Sequence, residues 1–545
     1  MSELDQKFIQ DTKDLIDGLK AISNNAGLGG SGYEFKIIVQ IFLYKFLNDK
    51  FIYETKLINS KLAKSSNWEQ DINNLSENEY ERLLKKLPVG SIKLKRNHFI
   101  SYLYNKCNEA EFYKTFDNTL KEIASDNADI FSIETDERNK VVMFEGVSKF
   151  IVDDTKKNNF CKSLINKLVN FSFEQMFQEK YDFFATIFEY LIKDYNKDDG
   201  GVYAEYYTPR SVARILSYIL VEGKPIKVKC YDPSAGSGTL LMSLAHVIGE
   251  DKCDIFAQDI SQKSSEMLRL NLVLNNLVLS LKNIVQGNTI LHPFHKEKDG
   301  TLKKFNYIVS NPPFKLDFSD YRDSLDTQSN KERFFAGVPN IPDKDKEKMA
   351  IYLLFIQHIM FSLDEKGKAA IVVPTGFITE KTGIAKAIRK RIIEKKWLRG
   401  AVSMPPNIFA KTGTHVSVIF LDKEKKDEDV ILIDASNLGT KTKEGKKQKT
   451  VLSTEEEQKI INTFKKKEKI ENFSVIVTNE NIEKKNYSFS AGQYFDVKIE
   501  YIDITPKEFE DKMKEHKENL KQYFKQAHEL EKEIEKQLEK LKYEK

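Results

Sequence analysis

Cysteine is scarce: Cys107, Cys161, Cys230 and Cys253 are the only four in 545 residues, and no two stand close together. That excludes a disulfide framework and a zinc site of the Cys-x-x-Cys kind, and it suits the cytoplasm. His292 and His295 form a lone His-x-x-His with no cysteine or acidic ligand nearby. They read as loop residues, and no metal site is expected. An excess of one charge is also missing, since 86 basic and 82 acidic side chains leave a formal net charge of +4. A chain that grips nucleic acid alone carries a stronger basic excess or a basic stripe, so the balance neither excludes nor establishes such a partner. Long apolar runs are absent too. The greasiest stretch, Met349 to Leu363, holds Gln357 and His358 and is too short for a bilayer. The polar, acidic start Met1-Ser2-Glu3-Leu4-Asp5 is unlike a secretory signal. What remains, 40% hydrophobic and 31% charged residues, describes a globular protein of about three or four units.

The pattern along the chain changes near residue 170. Up to there it reads as mostly helical, with Tyr33 to Tyr53 dense in apolar residues and polar ones recurring about once per helical turn. The preceding Gly27-Leu28-Gly29-Gly30-Ser31-Gly32 follows no strand and lacks a Lys-Ser/Thr ending, so it reads as a connection between helices and not a nucleotide site. A helix from Phe173 to Tyr195 leads into the break Lys197-Asp198-Asp199-Gly200-Gly201. Beyond it, β-branched runs predict strands at 226–231, 254–258, 283–286, 307–310, 369–373, 400–403 and 415–421. Helices are predicted at about 239–248, 262–276, 347–363 and 382–396. Alternation of this kind means an α/β chain with a parallel, doubly wound sheet. The last two strands, joined without a helix, read as an antiparallel hairpin at one edge. The predicted division is an N-terminal helical domain (1–170), a catalytic domain (171–440), a small extension (441–505) and a terminal helix (506–545). In that helix Met513, Leu520, Ala527, Ile534 and Leu541 recur every seven residues, with His516, Tyr523 and Leu530 at complementary positions. This is an imperfect heptad seam suited to another helix, or else a solvated charged tail.

Four clusters carry chemistry. Asp232-Pro233-Ser234-Ala235-Gly236-Ser237-Gly238-Thr239 follows a strand and opens a helix, so backbone N–H groups face whatever sits there. Asp232 is placed to accept from a ligand ammonium or a water. Asp259 ends the next strand, where a carboxylate can hold ribose hydroxyls, with Ile260 as a wall for an adenine ring; the plain alternative for Asp259 is a helix cap. Gln286-Gly287-Asn288-Thr289 ends the third strand, with Asn288 a candidate reader of the adenine amine. Asn311-Pro312-Pro313-Phe314 is the sharpest cluster. Its two prolines cannot extend a ladder and fix a rigid turn. Such a turn can aim the Asn311 side-chain oxygen and the Pro312 carbonyl at the two hydrogens of an exocyclic amine, with Phe314 stacked on the base. Finally Glu205-Tyr206-Tyr207-Thr208-Pro209-Arg210 precedes the first strand, and Thr208 with Pro209 suits a helix start beside a ligand carboxylate.

In this order the clusters resemble DNA amino-methyltransferases of the gamma arrangement. Together with the helical N-terminus, Pro374-Thr375-Gly376-Phe377 and Tyr487-Ser488-Phe489, they resemble the modification subunit of type I restriction-modification systems over about residues 10 to 500. The resemblance implies a Rossmann-like methyltransferase sheet and transfer of a methyl group from S-adenosyl-L-methionine to adenine N6 of double-stranded DNA, the base being flipped out. It implies that Asn311, Pro312, Pro313 and Phe314 hold the target base. The residues from Glu205 to Arg210, Asp232, those from Ser234 to Thr239, Asp259, Ile260 and Asn288 then hold the cofactor. Asn288 departs from the Asp of many relatives. Met404-Pro405-Pro406-Asn407 is no second catalytic turn, because its Asn follows the prolines. The implied partners are a specificity subunit shared by two copies of this chain and a restriction-translocase subunit. No P-loop lysine or nuclease cluster is visible here, so neither ATP hydrolysis nor DNA cleavage is expected of this chain. Protein-glutamine N5 methylation and a catalytically spent scaffold are the competing expectations.

Overall fold

The computed structural model describes residues 3–135, 140–142, 144–174, 177, 186–187, 190, 208–409, 415–444, 447–495 and 505–539. Most of the helix predicted from Phe173 to Tyr195, the break at 197–201, and Glu205, Tyr206 and Tyr207 lie outside them. Residues 1–494 pack as one unit and 495–545 as a second.

The sheet of the first unit has eleven strands among the described residues. In chain order these are β1 (Ser132–Thr135), β2 (Lys140–Val142), β3 (Val228–Asp232), β4 (Cys253–Asp259), β5 (Ile284–Gln286), β6 (Phe305–Ser310), β7 (Leu363–Pro374), β8 (Leu398–Ser403), β9 (Val416–Asp422), β10 (Asp429–Asp434) and, beyond a separate hairpin of β11 (Thr440–Glu444) and β12 (Lys447–Val451), β13 (Ser474–Thr478). They lie in the order β13-β10-β8-β9-β7-β6-β3-β4-β5-β1-β2. All seven predicted strands are present. The central ones are buried on both faces, as β-branched runs in a helix-covered sheet must be. Strand order reverses at β3 and β6, which are parallel neighbours: β4 and β5 are added on one side and β7 on the other. Helices Thr239–Ile248 and Gln262–Leu274 follow β3 and β4, and Tyr352–Ser362 precedes β7. A crevice therefore opens at the carboxyl ends of β3 and β6, where α/β sheets bind ligands.

The hairpin expected at an edge is formed, but inside the sheet. β9 runs antiparallel to both β7 and β8, and β10 and β13 continue beyond β8. The stretch expected as a separate small extension thus supplies β13 to this sheet, and the N-terminal region supplies β1, parallel to β5. The close approach of β8 to β10 requires Gly400, since a Cβ there would lie 2.3 Å from the Ile431 carbonyl oxygen.

The helix Gly32–Ile58 is buried along most of its length, and polar residues recur within the buried stretch, several of them engaged. Lys45 pairs with Asp49 at 2.9 Å, Asn48 accepts from the Ile100 amide at 3.1 Å, and Asp49 accepts from the Phe173 amide at 2.8 Å. Buried charges are tolerated here because each is paired and hydrogen-bonded. Among the described residues no helix is long and apolar enough to cross a membrane.

Gly400→Ala is expected to cost about 1–3 kcal/mol through overpacking, read as a lower midpoint of thermal unfolding. Gly376→Ala, where a Cβ meets nothing within 4 Å, is expected to change stability by no more than about 0.5 kcal/mol.

Candidate functional site

The turn after β3 is built on two left-handed glycines, Gly236 at φ 52° and Gly238 at φ 82°. A Cβ on Gly238 would also sit 2.1 Å from Leu268, so the loop presses directly on the helix after β4. Asp232, 1% exposed, accepts from the Ser234 amide at 2.9 Å. The Ser234 and Ser310 hydroxyls meet at 2.8 Å, joining the glycine loop to the end of β6. Asp259 clamps the other side: its carboxylate accepts from the Gly236 amide at 2.8 Å and the Ser261 amide at 2.9 Å. Capping of the following helix falls to Ser261, whose hydroxyl accepts from Ser264. Burial pushes the Asp232 carboxyl up to about 7, against the Ser234 amide and helped by the nearby Asp259 charge. Burial raises Asp259 as well, against its two amide donors.

The Asn-Pro-Pro-Phe turn stands across the crevice. The Asn311 side-chain nitrogen donates to the Thr208 hydroxyl at 3.2 Å, a contact between residues 103 apart in sequence. Thr208 was expected to cap a helix. The helix Arg210–Leu220 instead has Pro209 as its N-cap, with no side-chain cap bond, and the buried Thr208 hydroxyl turns to Asn311. With its NH2 group oriented this way, Asn311 is left with its carbonyl oxygen as an acceptor. Among the described residues nothing donates to the Pro312 carbonyl. The Phe314 ring packs edge-on against Tyr352, centroids 6.2 Å apart.

A cavity of about 700 Å³ lies between these elements. Gly236, Asp259 and Ile260 line one side, Asn288 and Thr289 the floor, and Asn311 and Pro313 the other side. Ala235, Ser237 and Thr239 line a small adjoining cleft with Thr208, Asp232 and Asn311. Ile260 is 64% exposed, an apolar wall with no packing role of its own. Asn288 lines the floor, but its oxygen accepts from the Ile290 and Leu291 amides, both at 3.1 Å, so it also caps its own turn. Arg210 donates to the Thr186 hydroxyl at 3.0 Å.

Three contributions were not legible in the sequence. Gly32, Tyr33, Phe35 and Lys36, at the start of the long N-terminal helix, line the cavity mouth. The glycine-rich run that ends at Gly32 had read as a mere connection. Arg333, 5% exposed, donates to the Ile290 and Thr289 carbonyls, both at 2.8 Å, and to His358 Nδ1 at 3.0 Å. Its fork therefore holds the floor loop from beneath. Since His358 Nδ1 accepts, its proton sits on Nε2, facing the Tyr231 hydroxyl at 3.3 Å. Burial holds His358 well below its ordinary range, so it is neutral. Arg389, fully buried, donates to the Tyr487 carbonyl at 2.8 Å and to those of Phe377 and Glu380. It thereby ties Pro374-Thr375-Gly376-Phe377 to Tyr487-Ser488-Phe489, two motifs about a hundred residues apart.

A doubly wound sheet with a glycine loop and an Asn-Pro-Pro-Phe turn facing each other across its crevice defines a Rossmann-like methyltransferase fold. Residues 179–501 match the N-6 DNA Methylase family, and the chain belongs to it. The methylase subunit of the type I restriction enzyme MpnII from Mycoplasma pneumoniae is 25% identical over 493 residues, 86% of this chain and 87% of that protein. The MjaIX methylase subunit from Methanocaldococcus jannaschii is 29% identical over 396 residues, 70% of this chain and 67% of that one. The crystal structure of a type I restriction-modification methyltransferase subunit from Streptococcus thermophilus has the same fold, with a TM-score of 0.69 at 18% identity over 90% of this chain and 100% of that one.

Arg333→Lys keeps the charge but not the fork. It leaves buried carbonyls unpaired, so a loss of about 3 kcal/mol in unfolding free energy is expected by chemical denaturation.

Proposed function

We propose that this chain is the modification subunit of a type I restriction-modification system and transfers a methyl group from S-adenosyl-L-methionine to N6 of a flipped adenine in DNA. The observation that carries the reading is the Asn311–Thr208 hydrogen bond at the cavity edge. It ties the Asn311 NH2 group to the protein through one of its two hydrogens and leaves the side-chain oxygen as an acceptor for a substrate amine.

The residues present fit the cofactor. The cavity, about 700 Å³, is of ordinary ligand-site size. The left-handed Gly236 and Gly238 let the backbone approach closely. Each Asp259 oxygen, after one amide bond, keeps a lone pair for a ribose hydroxyl, and Ile260 offers an apolar face to the adenine. Asp232 suits the ammonium, and the segment from Thr208 to Arg210, opening a helix, suits the carboxylate. The bound cofactor supplies an electrophilic methyl on a sulfonium.

The chain's own residues do the rest. Phe314 stacks on the flipped base and offsets part of the unstacking cost, about a few kcal/mol. The Asn311 oxygen and the Pro312 carbonyl accept the two amine hydrogens, favouring a pyramidal nitrogen whose lone pair is freed from the ring. Arg333 and the Ser234–Ser310 bond keep the two sides of the crevice in register. No covalent nucleophile is needed, because positioning and preorganised acceptors lower the barrier.

Sequence choice would come from a specificity subunit serving two copies of this chain, and a restriction-translocase subunit would complete the assembly. The helix Pro506–Leu538 is the element proposed to dock on the specificity subunit. Its side chains at Met513, Leu520, Tyr523, Leu530 and Ile534 are exposed, and none of its residues is buried.

Asn311→Ala is expected to abolish methyl transfer to DNA in the presence of the specificity partner while cofactor binding persists. Labelled-cofactor transfer and calorimetry test this, and transfer at the wild-type rate would refute the reading. Deleting 506–545 should weaken co-purification with the partner more than cofactor affinity.

Asp232 gives a pH signature. Its folded value of about 7 lies above the ordinary carboxylate value. Its proton therefore favours the ligand-free fold at low pH, and that contribution is lost as pH rises through about 7. Cofactor affinity should rise over the same window as the carboxylate forms, and Asp232→Asn should flatten the rise in a titration series.

A further inference from the structure

The segment 440–451 holds five lysines against a single glutamate, in a chain whose whole formal excess is +4. It folds as the hairpin of β11 and β12, separate from the main sheet. Cross-strand partners put Lys441 beside Thr450 and Lys443 beside Gln448 on one face. Lys441 and Lys443 are exposed.

The root is fixed. Thr450, 4% exposed, donates from its amide to the Asn407 carbonyl at 3.0 Å and from its hydroxyl to the Pro406 carbonyl at 2.6 Å. Asn407 is left-handed at φ 57°, so Met404-Pro405-Pro406-Asn407, which the catalytic reading leaves unused, forms the socket of the ribbon. On the other strand the Gly439 amide donates to Glu456 at 2.7 Å. A well-anchored base beneath a polar, basic ribbon is not the arrangement of a packing element, because neither face carries an apolar row to bury.

Its position follows from topology. β10 runs parallel to β8, β8 and β7 both run antiparallel to β9, and β7 runs parallel to β6. The carboxyl ends of β6, β8 and β10 therefore share one edge, and the ribbon leaves the edge that carries Asn311. From β6 to β10 is four strand steps, about 19 Å. A duplex of that length carries about eleven phosphate charges, and its major groove, about 12 Å wide, admits a two-stranded ribbon.

We propose that the β11–β12 ribbon is a DNA-backbone clamp, with Lys441 and Lys443 contacting phosphates of the duplex whose adenine enters at Asn311. This rests on the function proposed above and assigns its duplex-holding surface. Lysine is a point charge for phosphate, so the clamp positions the duplex and reads no sequence.

The test compares the wild-type full chain, with its specificity partner, against the double variant Lys441→Gln/Lys443→Gln and the charge-keeping Lys441→Arg/Lys443→Arg. DNA affinity is measured across salt concentration, beside cofactor affinity and methyl transfer. The Gln variant should lower the slope of log affinity against log salt by about 1.8, or about 0.9 per phosphate contact. The fall in affinity between about 50 and about 200 mM salt would then shrink about 12-fold. Its cofactor affinity should stay at the wild-type value, and the Arg variant should keep the full slope. A wild-type slope in the Gln variant overturns the clamp, even where wild-type methyl transfer to DNA upholds the function. An unchanged slope with weakened co-purification of the partner overturns it in favour of a protein-facing ribbon. Absence of methyl transfer to DNA by the wild type overturns the underlying function instead.

Discussion

The amide of an asparagine is symmetrical in shape and opposite in chemistry at its two ends, so a site that depends on one must fix which end points out. Here that is done by one hydroxyl. Thr208 accepts from the Asn311 side-chain nitrogen, and the side-chain oxygen of this cavity-lining residue is left as the acceptor. The hydroxyl can do so because Pro209, and not Thr208, occupies the N-cap. The two prolines after Asn311 hold the backbone on which this orientation depends, and Ser310 bonds the turn to the glycine loop through Ser234. The geometry of the crevice is thus a property of the contacts between β3, β6 and the helix opening at Arg210, not of any one motif.

Much of the fold was legible because buried parallel strands must be written in β-branched runs, whatever surrounds them. The glycine loop, Asp259 and the Asn-Pro-Pro-Phe turn were legible for a related reason: each sits where a strand ends and its residue types have few other uses. The error over the hairpin has a physical origin too. Its position depends on whether another strand pairs with β8, and that strand, β10, lies within a lysine- and glutamate-rich stretch where one short apolar run is easily overlooked. Pairing between β10 and β13 spans an intervening hairpin and helix, so no local pattern announces it.

Buried arginines were the least legible feature. Arg333 and Arg389 look like surface residues in the sequence, yet Arg333 is held by carbonyls 43 and 44 residues away, and Arg389 joins the nearby Phe377 and Glu380 carbonyls to that of Tyr487, 98 residues away. Their fitness for burial is set by tertiary structure, because the carbonyls that receive the guanidinium offset its removal from water. Asn288 shows the reverse case. The sequence suggested a ligand contact, and the structure gives its oxygen two backbone partners as well.

The sheet draws strands from residue 132 to residue 478, and its end strands come from the regions that flank the catalytic core. β5 contributes only three residues, and β1 covers its outer side. A core stripped of its amino-terminal bundle would present bare ladder groups along β5, a template for adhesion to other chains. Recombination among relatives is constrained accordingly: an exchanged helical bundle has to bring a compatible β1–β2 pair with it, and inheritance of the two halves is joined by backbone hydrogen bonds as well as by side-chain packing.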